Sequence, residues 1–119
     1  MLDFFDENSE AVAYLDSKGE SIFLWCGRPV AHLLDDNIYA YNGKHLGWLD
    51  EDGWVYDHFG DNVLSPYTSS SIPNKSVRQS LPMREFVENP PTKPQRTFRW
   101  SVFNGETFFK NVITQSRRR

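Results

Sequence analysis

Only one cysteine, Cys26, stands among the 119 residues, so no intrachain disulfide can hold the fold together. Long apolar runs are missing as well. The longest, such as Ile22 to Cys26, fall far short of the roughly 20 residues that a membrane-spanning helix needs. The start, Met1-Leu2-Asp3-Phe4-Phe5-Asp6-Glu7, is acidic and has neither the basic opening nor the apolar stretch of a signal peptide. These absences lead us to expect a cytoplasmic protein with no membrane segment. Basic side chains are scarce in residues 1–65, which carry 13 acidic and 3 basic groups, net −10. Residues 66–119 reverse this with 3 acidic and 10 basic groups, net +7. At −3 overall, the chain is neither a polycation suited to nucleic acid nor an acidic solvating tail. Proline is almost absent before Pro66, Pro29 excepted, and glycine almost absent after Gly60, Gly105 excepted.

What remains divides the chain into a β-repeat domain at 1–65, a Pro/Ser-rich arm at 66–95 and an aromatic segment at 96–119 that packs on the β-repeat domain. The repeat has a period of about 16 residues. Ile22-Phe23-Leu24-Trp25-Cys26-Gly27 overlays Ile38-Tyr39-Ala40-Tyr41-Asn42-Gly43, and a third copy begins at Trp54 with its glycine, Gly60, one residue late. Gly19, also followed by an apolar residue three positions on, reads as the remnant of a fourth unit. Each unit reads as a hairpin, with Asn42-Gly43 the strongest turn signal. Asp35-Asp36-Asn37 and Asp50-Glu51-Asp52-Gly53 supply the turns of the opposite rim. The fold class is therefore mainly β: an antiparallel meander of repeated Gly-turn hairpins. Strands are expected near 11–16, 20–25, 29–34, 38–41, 45–49, 54–57 and 61–65. Gly27, Gly43 and Gly60 fall on one rim, and Gly19, Asp36-Asn37 and Asp52-Gly53 on the other.

Both faces of these strands are apolar, so the remaining chain or a second subunit must cover the outer one. Pro66, Pro73, Pro82, Pro90, Pro91 and Pro94 favour an extended arm. Met83 to Val87 is expected to form one helical turn after Pro82. Further on, Phe98, Trp100 and Val102 alternate as a strand does, and Asn104 can cap a short C-terminal helix bearing Phe108, Phe109, Val112 and Ile113. Phe98, Trp100, Phe108 and Phe109 are expected to be buried on the β region.

The run Ile38-Tyr39 through Asn42-Gly43-Lys44-His45-Leu46-Gly47-Trp48 to Gly53, Asp57-His58 and Gly60 resembles the 4-fold beta flower proteins. Leu24-Trp25, Gly27, Pro29-Val30-Ala31, Trp100-Ser101 and Phe108-Phe109 look like further parts of that pattern. The resemblance implies a small β-rich bacterial domain with no assigned activity, and it carries over no catalytic residue.

Candidate chemistry is sparse. His32, His45 and His58 recur every 13 residues, out of step with the repeat, so they should sit at different heights and share no metal. A polar rim site of Lys44, His45, Asp57 and His58 is available for a small anion or for acid and base work. With Trp25, Tyr41 and Trp48 as rings for a ligand or sugar, these seven are the candidate binding residues. Cys26 lacks a second thiol and a close basic neighbour. Arg117-Arg118-Arg119 and the upstream cations invite a nucleic-acid reading, which the net −10 region beside them opposes. No metal and no cofactor are expected. The reading favoured is a non-enzymatic, self-associating interaction module. Its alternative is a small-ligand or carbohydrate-binding domain using the Gly-turn rim.

Overall fold

The computed structural model describes residues 1–102, 105 and 107–109. Eight strands follow one another in a single antiparallel meander: β1 Leu2–Phe5, β2 Ala11–Leu15, β3 Ser21–Leu24, β4 Pro29–Leu34, β5 Asn37–Tyr39, β6 His45–Leu49, β7 Val55–Tyr56 and β8 Asn62–Leu64. Phe5 and Ser65 exchange both backbone hydrogen bonds, at 2.8 and 2.7 Å, which joins the last strand to the first and nearly closes the sheet into a barrel. Seven strands were expected and eight are present, the additional one being β1.

Four hairpins, β1–β2, β3–β4, β5–β6 and β7–β8, repeat one geometry. Each carries a register shift at the same place, between Phe4 and Phe5, Ile22 and Phe23, Ile38 and Tyr39, and Val55 and Tyr56. The extra residues opposite are Val12, Val30, Leu46 and Val63. Such a bulge bends the strand and raises its twist, which lets short strands curl into a closed ring. Phe4, Ile22, Ile38 and Val55 hold equivalent positions, are completely buried and line the interior. Across from them stand Ala13, Ala31, Gly47 and Leu64.

The register moves two boundaries of the repeat. The third copy begins at Val55 rather than Trp54, because the Gly60 turn is no longer than the Gly43 turn: Gly43 N–H donates to Ala40 O and Gly60 N–H to Asp57 O, both at 3.0 Å. The additional residue lies on the opposite rim, where the turn from Asp50 to Gly53 is longer than the one at Asp35-Asp36. Likewise, the fourth unit is residues 2–15. Its turn has Ser9 at φ +64 where the others have glycine, whereas Gly19 turns the opposite rim. The expected division of glycines between the two rims is otherwise what the topology shows.

The arm is extended throughout, including Met83 to Val87, which form no helical turn. Backbone bonds to the hairpin tips displace it from helix: Ser76 N–H donates to Trp25 O, Gln79 N–H to Gly27 O, Glu85 N–H to Tyr41 O, Glu88 N–H to Gly43 O and Thr97 N–H to Gly60 O. Successive contacts step by nine residues, and so do Pro73, Pro82 and Pro91 and the cations Lys75, Arg84 and Lys93. The arm is thus a second repeat, in register with the first.

Beyond it, the short helix carrying Gly105 brings Phe108 and Phe109 into one barrel mouth, where both are buried in the core. Gly47 makes room for the Tyr56 carbonyl and for Phe108, because a Cβ there would overlap that oxygen and lie 3.1 Å from the ring. The strand expected at Phe98 to Val102 does not form. Phe98 sits at φ +58 with its ring 76% exposed, and Val102 is exposed too. The chain turns there because Arg99 O accepts from Asn62 N–H and Ser101 N–H donates to Asn62 O, which ties down the residues on either side. Asn104, Val112, Ile113 and Arg117 to Arg119 lie outside the described residues.

Candidate functional site

Strand alternation that points Phe4, Ile22, Ile38 and Val55 inward points their neighbours outward. Where one unit meets the next, these neighbours form repeated trios. Tyr14 stacks on Phe23 at 5.6 Å and meets Trp25 edge-on at 5.8 Å. His32 likewise faces Tyr39 and Tyr41, and Trp48 faces Tyr56 and His58. This aromatic belt is what the arm covers. Lys75 Nζ lies 4.3 Å from the centre of the Trp25 ring and pairs with Asp3, Arg78 lies 4.9 Å from Phe23, and Arg96 lies 4.4 Å from Tyr56 while bonding Asp50 and Asn62. Trp25 Nε1–H also donates to Pro73 O at 3.1 Å. The opposite charges of the two halves therefore meet within one chain. Flat, partly desolvated stacking holds the cations as much as ion pairing does.

Of the seven candidate residues, the structure brings His45, His58 and Trp48 together and distributes the rest. His45 Nδ1 and His58 Nε2 are 2.9 Å apart, and His45 Nε2 is 2.9 Å from Asn37 Oδ1. The three histidines do not all stand apart, as their spacing suggested. The bulge between Ile38 and Tyr39 and the long Asp50–Gly53 turn restore register between His45 and His58, while His32 stays in the neighbouring trio. Donation to Asn37 places the His45 proton on Nε2, leaving Nδ1 to accept from His58. Glu88 of the arm locks the pair, its Oε1 accepting from His45 N–H at 2.7 Å, and Lys44 lies 3.8 Å from its other oxygen. Asp57 turns away, capping its own turn by accepting from Phe59 and Asp61 N–H. Trp48 is buried against both rings, while Trp25 and Tyr41 belong to two other trios, so the three form no shared platform. Among the described residues, no group of three or more metal-binding side chains forms.

Burial disfavours the imidazolium of His45 and, with repulsion from His58, lowers its pKa to about 4, against the pull of Glu88 and Asp36. Burial also lowers His58 and His32, the latter with help from Arg84. Neither ring nitrogen of His32 has a hydrogen-bond partner among the described residues. The unfolded chain protonates its histidines near 6.5, so between that pH and about 4 it binds more protons than the folded one, and stability falls as pH falls through this window. Going from pH 7 to 4.5 should remove on the order of 2 kcal/mol through His45. Urea midpoints at both pH values should shift less in His45→Gln than in the parent.

The open concavity on this rim lies elsewhere. A cavity of about 410 Å³ opens between the Gly27 and Gly43 hairpins, with an apolar floor of Leu24, Pro29, Val30, Ala40 and Phe109. Arg28, Tyr41, Asn42 and Gln79 supply polar groups around it. Only Tyr41 of the seven candidates lines it. Arg28 and Gln79 escaped the sequence reading because one reads as a turn residue and the other as linker. The nine-residue step of Pro73, Pro82 and Pro91 was the signal that the arm tracks the hairpins and brings Gln79 to Gly27.

No helix of the described residues is long and apolar enough to cross a membrane. No curated protein and no solved structure matches the chain. A family model for the 4-fold beta flower proteins matches residues 2–109, a span that takes in all four hairpins, the arm and the Phe108-Phe109 plug, and the chain belongs to that family.

Proposed function

We propose that the protein is a non-enzymatic binding module whose small ligand enters the cavity between the Gly27 and Gly43 hairpins. The observation that carries this reading is the 410 Å³ concavity itself, with its apolar floor and few polar groups, the usual make-up of a small-molecule site. Arg28 at its edge favours an apolar body with an anionic head. The histidines with lowered pKa lie in the outer belt and line no part of this cavity, which supports binding over catalysis. An anionic naphthalene sulfonate should bind the folded protein with one-to-one stoichiometry. Val30→Phe, which fills the floor, should weaken it about tenfold or more, a loss of about 1.4 kcal/mol. Binding that ignores Val30→Phe would remove the cavity from consideration.

Self-association is the second reading, and a different observation favours it. With the arm lying on its own sheet, the uncovered-face argument no longer calls for a partner. Yet Val77, Met83 and Phe86 on that arm are 90%, 89% and fully exposed, an apolar edge of the kind that marks protein contacts. Light-scattering mass of the same samples at two concentrations reads this directly. The engagement of Lys75, Arg78, Lys93 and Arg96 with rings and carboxylates of the same chain argues against a nucleic-acid role. The exposed free thiol of Cys26 supports a reducing, cytoplasmic setting.

A further inference from the structure

The fourfold repeat predicts four equivalent seams, and three of them follow one recipe. Tyr14–Phe23–Trp25, His32–Tyr39–Tyr41 and Trp48–Tyr56–His58 each present a ring trio. Each also receives positive charge from the arm. Lys75 and Arg78 lie over the first and Arg96 over the third, while Arg84 acts on His32 and Tyr41 in the second. The fourth seam, where β8 meets β1, breaks the recipe in a specific direction. Equivalence by register puts Ser65 in place of Tyr14, His32 and Trp48, and Glu7 in place of Trp25, Tyr41 and His58. The stretch of arm that crosses it, Pro66 to Ser71, contains no Lys or Arg. Two rings and the covering cation are therefore absent together, and a carboxylate has been added.

What stands there instead is a shallow concavity of about 370 Å³, open to solvent. Its walls are Trp54, Tyr67 and Trp100, with the Trp54 ring 5.6 Å from Trp100 at 55° and 6.1 Å from Tyr67 at 66°. Rings set at such angles are walls of a box rather than a stack. The segments that carry them are pinned: Thr68 Oγ1–H donates to Ser9 O at 2.7 Å, Tyr67 N–H to Ser65 Oγ at 3.0 Å and Ser101 N–H to Asn62 O at 2.8 Å. Asp6 spends one oxygen on Asn8 and Glu10 N–H, whereas Glu7 makes no ion pair among the described residues. We propose that this fourth seam is a site for a small organic cation, an alkylated ammonium or a guanidinium, held over Trp54, Tyr67 and Trp100 and neutralised by Glu7. The ligand does at this seam what the arm's own Lys and Arg do at the others, since ring faces attract a cation and a nearby carboxylate completes the site. The site is separate from the Gly27–Gly43 cavity and independent of the reading given to it.

Tryptophan fluorescence titrations with choline and with arginine amide test this, beside 3,3-dimethylbutan-1-ol, the uncharged isostere of choline. At least one cation should give a saturable change, and the alcohol should bind about tenfold more weakly or worse. Which cation binds tighter separates the ammonium from the guanidinium. Glu7→Gln, at an exposed turn position, should weaken binding about tenfold with unchanged melting, and Trp100→Leu should abolish it. Val30→Phe should leave it unaltered, which keeps the outcome distinct from that of the other cavity. Equal binding of the alcohol, no saturation by either cation, or indifference to Glu7→Gln would overturn the proposal.

Discussion

Gly43→Ala should lower the melting temperature by about 10 °C, while Gly19→Ala should lower it by only about a third as much. Both glycines have positive φ, +88 and +72, so both substitutions pay the left-handed strain of about 1 kcal/mol. The difference lies in what surrounds them. A Cβ on Gly19 meets nothing within 4 Å, whereas one on Gly43 would overlap the Phe86 carbonyl of the arm. That overlap must push the arm away, putting at risk the bonds from Glu88 N–H to Gly43 O and from Glu85 N–H to Tyr41 O, each worth about 1 kcal/mol. Gly27 and Gly60 face Val77 O and Gln95 O in the same way, so three equivalent glycines bear the backbone of the arm, whereas at Gly53 on the opposite rim the arm approaches only with the Pro66 side chain. Limited trypsin digestion offers a second readout, because a lifted arm exposes Lys75, Arg78 and Arg84 to cleavage. Equal melting shifts at Gly43 and Gly19 would show that the arm does not press on the hairpin tips.

Phe109→Ala should cost about 3–4 kcal/mol, and Phe98→Ala less than about 0.5 kcal/mol. The two phenylalanines are eleven residues apart in one aromatic segment, yet one is 2% exposed and the other 76%. Phe109 belongs to the barrel core and packs edge-on against Phe108 at 5.1 Å, so removing it strips that core contact and leaves a void beside Phe108. Phe98 lies outside, touched by the Arg96 guanidinium at 4.8 Å, an exposed contact of small worth. Urea titrations of both variants give the comparison. A Phe109→Ala protein as stable as its parent would mean that the barrel stands without its plug.

How much of this was legible depended on whether the responsible interaction was local. Asn42-Gly43 announced a turn because two adjacent residues suffice to favour positive φ, and the turn is there. The first unit was hidden because Ser9 occupies the glycine position of its turn and is held at φ +64 by its hairpin, a conformation serine does not advertise. Trp54 was read one residue early because an added residue at one rim cannot be told by spacing from an added residue at the other; only the pairing Val55↔Leu64 places it. The arm was read as extended from its prolines, but its register with the hairpins was not, although the nine-residue step was present in the prolines and cations.

From local chemistry alone the chain determined seven of its eight strands, the assignment of its turns to two rims, an extended arm and the opposite charges of its two halves, because each rests on residues adjacent in sequence. Tertiary structure alone decided that the arm covers its own sheet, that His45 meets His58 under Glu88, and that Trp54, Tyr67 and Trp100 share a box. Those outcomes require the ring of strands to close between Phe5 and Ser65 and bring distant segments into contact. Closure depends on four bulges and on side-chain packing summed over the whole barrel, and no window of sequence contains that sum.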